Sequence, residues 1–137
     1  MGGSFSLEIA LNRIHLGGVI SISGPLLPHH ISQISKKSCS DLIRKTPVLA
    51  TIGSFDDLID EDEYRLNFDL LAARRTDSDH SSSSSSSGVE CVLIQGKEHS
   101  MPKSSLEMTY IMKFLASILV RKSFAKQFGE EVFEVAT

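Results

Sequence analysis

At 137 residues, with 41% hydrophobic and 23% charged side chains, the chain has the size and composition of a single globular domain and not of a disordered polymer. Fourteen Lys and Arg against 17 Asp and Glu leave a net charge of −3 and no basic stripe on which a phosphate backbone could dock, so nucleic acid is not an expected partner. The longest apolar stretches, 16–22 and 111–120, fall well short of the ~20 residues a membrane helix needs, so a soluble chain without a transmembrane segment is expected.

In chain order, residues 3–14 space Phe5, Ile9 and Leu11 between small and polar residues, which predicts a helix. Gly17-Gly18 leads into Val19-Ile20-Ser21-Ile22-Ser23, a β-branched run stopped by Gly24-Pro25, the pattern of a buried strand. Residues 25–45, with His29-His30 and many serines, read as a connecting excursion with room for one short helix. Pro47-Val48-Leu49-Ala50-Thr51-Ile52 is a second strand ending in Gly53-Ser54, and an acidic loop follows. Residues 60–75 carry Tyr64, Phe68 and Leu71 at helical spacing, with acids at the start and Arg74-Arg75 at the end to complement the helix dipole.

Seven of the 22 serines form the run 81–87. A polyserine tract has no apolar surface to offset its ordering entropy, so about 76–88 is expected to be a disordered insertion. Val89-Glu90-Cys91-Val92-Leu93-Ile94 is a third strand, ended by Gly96. Residues 104–122 form a helix with Leu106, Tyr110, Ile111, Phe114, Leu115 and Ile118 on its apolar side, and 124–137 is an ambiguous tail. The alternation of helices with three strands predicts an α/β fold with a mostly parallel sheet covered on both faces over residues 1–123. Cys39 and Cys91 lack CxxC spacing and Met1-Gly2-Gly3-Ser4 has no basic leader region, so the cytoplasm is the expected location.

Functional groups gather at the carboxyl ends of parallel strands, so the loops 23–30, 53–60 and 96–103 matter most. An acid after the second strand and His99 after the third are in the order that lets a carboxylate fix an imidazole's tautomer. His29-His30 has no third ligand at a recognisable spacing and is expected to be a surface pair. No phosphate-binding glycine loop precedes a helix, and neither a cofactor nor a metal is expected.

Gly53-Ser54-Phe55-Asp56-Asp57-Leu58-Ile59 resembles the G-x-x-D-x-x-V segment of α/β-hydrolases of the phospholipase/carboxylesterase group, which includes the acyl-protein thioesterases. Gly96-Lys97-Glu98-His99-Ser100 resembles that group's G-x-x-H-S segment, Thr46-Pro47-Val48-Leu49 its T-P-V-L strand entrance, and Ser23-Gly24-Pro25-Leu26-Leu27-Pro28 its S-G-x-L-P loop. The resemblance implies Asp56, in preference to Asp57, as the acid and His99 as the base. It also implies Leu26 and Leu27 as acyl-pocket residues and an acyl ester or S-acylated protein as substrate. Met1-Gly2-Gly3 matches the end of the group's G-x-S-x-G-G elbow, so Met1 would supply an oxyanion-hole N–H and the nucleophilic serine would precede it. Ser4 and Ser6 fall within the helix and make poor substitutes.

The chain is therefore expected to be the C-terminal part of an α/β-hydrolase without its nucleophile and inactive by itself. The strand at Val19 would then have an open edge for a partner chain to cover. A non-catalytic pseudoenzyme or protein-interaction module is the alternative, with a small-ligand binding module a third.

Overall fold

The computed structural model describes residues 2–12, 16–36, 46–76 and 88–127. Three strands, β1 (Val19–Ile22), β2 (Val48–Gly53) and β3 (Val89–Ile94), form a parallel sheet in the order β1-β2-β3. Among the described residues four helices alternate with them: α1 (Gly2–Asn12), α2 (Pro28–Ser35), α3 (Glu61–Thr76) and α4 (Ser105–Gln127). The Ser-rich tract 77–87, Cys39 and the tail 128–137 lie outside the described residues.

The register pairs Val19 with Val48 and Val48 with Val89, so side chains of one parity line one face across all three strands. On that face Val19, Val48, Ala50 and Ile52 pack with Leu7, Ala10 and Leu11 of α1, Ile34 of α2, and Tyr64, Phe68 and Leu71 of α3. The opposite face places Leu49 against Ile111 and Phe114 of α4, with Ile20, Val92, Tyr110 and Ile118 around them. Every residue of β2 is buried, as a central strand covered on both faces requires. Gly18 lies under α4: a Cβ there would stand 2.3 Å from Ile118 Cδ1, the end of a side chain that would have to turn aside.

The helix faces differ from the sequence reading at three positions. Phe5 is 66% exposed, and α1 instead buries Leu7, Ala10 and Leu11. On α4, Leu106 and Leu115 face outward while Glu107 takes the inward position, one turn before Ile111. Strand β1 ends at Ile22, one residue before the end of the run read from the sequence: Ser23 adopts φ 50°, a left-handed conformation unusual for a residue with a side chain. Asp60 caps α3, its carboxylate accepting from Glu63 N–H at 2.8 Å, which explains why the acidic cluster sits at a helix start.

Candidate functional site

The loops after β2 and β3 are joined to each other through their backbones. Phe55 N–H donates to the Lys97 carbonyl at 3.0 Å, and Ser54 N–H donates to the Ile94 carbonyl at 3.0 Å. Gly96 N–H donates to Ser54 Oγ at 2.8 Å. Two glycines permit this. A Cβ on Gly53 would stand 1.9 Å from the Lys97 carbonyl oxygen, and Gly96 turns at φ +73°. Each therefore has a separate physical reason to be the first residue of its motif.

This joining sets Asp56 against His99. Asp56 Oδ2 lies 2.9 Å from His99 Nδ1, with the aspartate side chain fully buried and the imidazole 34% exposed. The second carboxylate oxygen accepts from Leu58 N–H at 3.1 Å, which fixes the rotation of the group. A carboxylate only accepts hydrogen bonds, so Nδ1 carries a proton, and in the neutral ring Nε2 is the nitrogen with the lone pair. No described residue occupies Nε2. Asp57, the neighbouring alternative, is exposed.

The other residues singled out in the sequence are placed as follows. Met1 lies outside the described residues. Two residues on, Gly3 backs onto Gly24 just beyond β1, so close that a Cβ on Gly3 would be 2.8 Å from the Gly24 Cα. Ser4 and Ser6 both lie in α1, and their hydroxyls donate to the carbonyls of Pro25 and Gly3, at 2.8 and 2.7 Å. Leu26 is buried in the core, whereas Leu27 is 38% exposed at the start of α2. Cys91 is half-buried, and burial pushes its thiol up to about 11, far from an activated nucleophile.

His29-His30 is not a surface pair. His30 is fully buried, and α1 supplies what local spacing could not reveal: Glu8 Oε2 lies 2.9 Å from His29 Nε2 and 2.5 Å from His30 Nε2. Glu8, His29 and His30 thus bring three ligand-type atoms together. Their hydrogen bonding argues against a metal, because Leu27 N–H donates to His30 Nδ1 at 3.1 Å. With Nδ1 accepting, Nε2 holds the ring proton and donates it to Glu8. A metal-ligating imidazole has the reverse arrangement, giving its other N–H away. Burial holds His30 below its ordinary value, and hydrogen bonds from the two histidines hold Glu8 below the usual carboxylate range.

Two polar residues that the motifs did not mark lie beneath the histidine loop. Lys97 Nζ forms an ion pair with Glu107 Oε1 of α4, and the same oxygen accepts from Thr51 Oγ1 of β2 at 2.8 Å. The available signal was an acid at position 107 on the stripe otherwise formed by Ile111, Phe114 and Ile118.

Solved structures resemble this arrangement. The chain matches SOBER1 of Arabidopsis thaliana at 26% identity and a TM-score of 0.59, covering 86% of this chain and 49% of that one. Two single-substitution variants of SOBER1 match at 26% identity with TM-scores of 0.58 and 0.59. The chain spans about half the length of these structures. A scan against protein-family models finds no match, and neither does a search of curated proteins. Among the described residues no helix is long and apolar enough to cross a membrane. Three parallel strands flanked by helices, together with the likeness to SOBER1, give this chain the α/β-hydrolase type of fold, of which it holds about half.

Proposed function

We propose that this chain carries the acid and the general base of a serine-type hydrolase for acyl esters or S-acylated proteins, with Asp56 as the acid and His99 as the base. The 2.9 Å contact between Asp56 Oδ2 and His99 Nδ1 carries this reading. Both residues stand on loops at the carboxyl ends of neighbouring parallel strands, where such sites gather. Asp56 holds Nδ1 protonated, so Nε2 takes a proton from the nucleophile and returns it to the leaving group. The buried carboxylate compensates the positive ring in between.

Neither Ser4 nor Ser6 serves as the nucleophile, because each hydroxyl is already given to a backbone carbonyl. The attacking serine is assigned instead to residues preceding Met1, with the Met1 N–H in the oxyanion hole. The close approach of Gly3 to Gly24 at the carboxyl end of β1 supports that placement for the turn into α1. Of the two leucines proposed to contact the acyl chain, Leu27 is the one a substrate can reach.

The test is to join the chain to the coding sequence preceding Met1 and to measure p-nitrophenyl ester and acyl-thioester cleavage. Turnover abolished by His99→Ala is expected, and none from the 137-residue chain alone. A folded, extended chain with no turnover overturns the proposal. That outcome favours the non-catalytic alternative, which has one observation of its own. Met108, Met112, Leu115 and Leu119 form an exposed apolar stripe along α4, next to the stripe that packs on the sheet.

A further inference from the structure

The segment 95–104 between β3 and α4 contains no strand and no helical turn, yet it carries His99. Of its ten residues, Lys97 alone is buried. A loop anchored by one side chain would ordinarily use an apolar one, since burying an ammonium and a carboxylate costs desolvation that their attraction barely repays. Here the anchor is an ion pair with Glu107, which is itself 0% exposed.

Its connections explain the choice. Lys97 stands two residues before His99, and its carbonyl accepts the N–H of Phe55, the residue before Asp56. Its ammonium reaches Glu107 on α4, and Glu107 accepts from Thr51 on β2. One lysine therefore ties the histidine loop, the aspartate loop, the central strand and the covering helix to a common point. An apolar side chain in the same space could slide or rotate, whereas the charged hydrogen bonds set both distance and direction. Among the described residues Glu107 Oε2 has no hydrogen-bond partner, which adds to the cost of burying this carboxylate.

We propose that the buried Lys97–Glu107 pair is a positioning device that holds His99 in register with Asp56, and that it is not a requirement of the fold. This rests on the Asp56–His99 reading above. Lys97 and Glu107 act on His99 through the loop.

The test uses imidazole proton–nitrogen NMR spectra of the 15N-labelled 137-residue chain, which report directly which nitrogen of His99 is protonated. The native chain is expected to show His99 in the Nδ1–H form, and Asp56→Asn to lose that signal. The informative variant is Lys97→Met combined with Glu107→Leu, which removes both charges at once and leaves no buried charge unpaired. It is expected to keep the native amide spectrum while the Nδ1–H signal of His99 is lost to exchange between the two tautomers. Retention of that signal in the folded double variant overturns the positioning role and leaves the acid–base reading intact. Its absence from the native chain overturns the acid–base reading and the positioning role with it. A double variant that does not fold makes the pair a requirement of the fold, and also overturns the proposal.

Discussion

Among the described residues a carboxylate is set against an imidazole in two places, and the two differ in what the ring has left over. At the carboxyl ends of β2 and β3, a fully buried Asp56 engages only Nδ1 of a half-exposed His99. Between α1 and α2 the exposure is reversed: His30 is fully buried and Glu8 is 32% exposed in its side chain. There both ring nitrogens of His30 are committed, one accepting from Leu27 N–H and one facing Glu8. A histidine with both nitrogens occupied holds structure together, and one with a free Nε2 can move a proton. Both sites hold a carboxylate within hydrogen-bond distance of an imidazole, so that contact does not identify chemistry without this count of committed ring nitrogens.

The largest expected effect that would break the comparison is on turnover in the extended chain. Asp56→Asn is expected to lower kcat by about 10⁴-fold, because an amide in place of the carboxylate favours the wrong imidazole tautomer. Glu8→Gln is expected to change it little. Equal losses from the two variants would show that the two pairs are not functionally distinct.

Stability of the joined loops comes next. Gly53→Ala forces a methyl group into the Lys97 carbonyl, a backbone atom that cannot swing aside, at 1.9 Å. A loss of about 1–3 kcal/mol is expected in urea unfolding, the range of overpacked sites. An unchanged midpoint would mean that the two loops are not held together as described.

The smallest effect concerns pH and belongs to the α1–α2 pair. Burial depresses His30 below its unfolded value of 6.5, so as pH falls past that value the unfolded chain takes up a proton that the folded chain refuses. Glu8 is depressed as well, so its stabilisation is present above its unfolded value of 4.5 and is lost as pH falls through the folded one. Both signs make the protein less stable in acid. His30→Asn keeps an acceptor for Leu27 N–H and removes the titration. The urea midpoint of this variant is expected to fall less steeply than that of the native chain as pH drops below 6.5. An unaltered slope would place the acid sensitivity elsewhere.

Much of this was legible in the chain itself. The strands were readable because β-branched runs such as Val19-Ile20 and Val89-Glu90-Cys91-Val92 are bounded by glycines, and α3 because Tyr64, Phe68 and Leu71 recur on one face. The resemblance of the two loop segments to hydrolase motifs implied Asp56 and His99, and the structure brings those two together. Phe5 and Leu115 were misplaced because periodicity marks apolar positions without showing which side a neighbour covers. Glu8 stands 21 and 22 residues from the histidines it binds, beyond the reach of any local pattern.

The sequence by itself determined the α/β alternation, the parallel sheet and the two loops that carry an acid and a histidine, because these follow from local periodicity and from glycines at fixed offsets. Only the tertiary structure decided that Asp56 reaches His99 Nδ1 with its side chain buried, that His30 is sealed inside, and that Lys97 and Glu107 pair beneath the site. Those outcomes depend on which backbone segments approach across the sheet and on which polar atoms lose water when they do. Contacts between residues 43 positions apart exist only once β2 and β3 lie side by side.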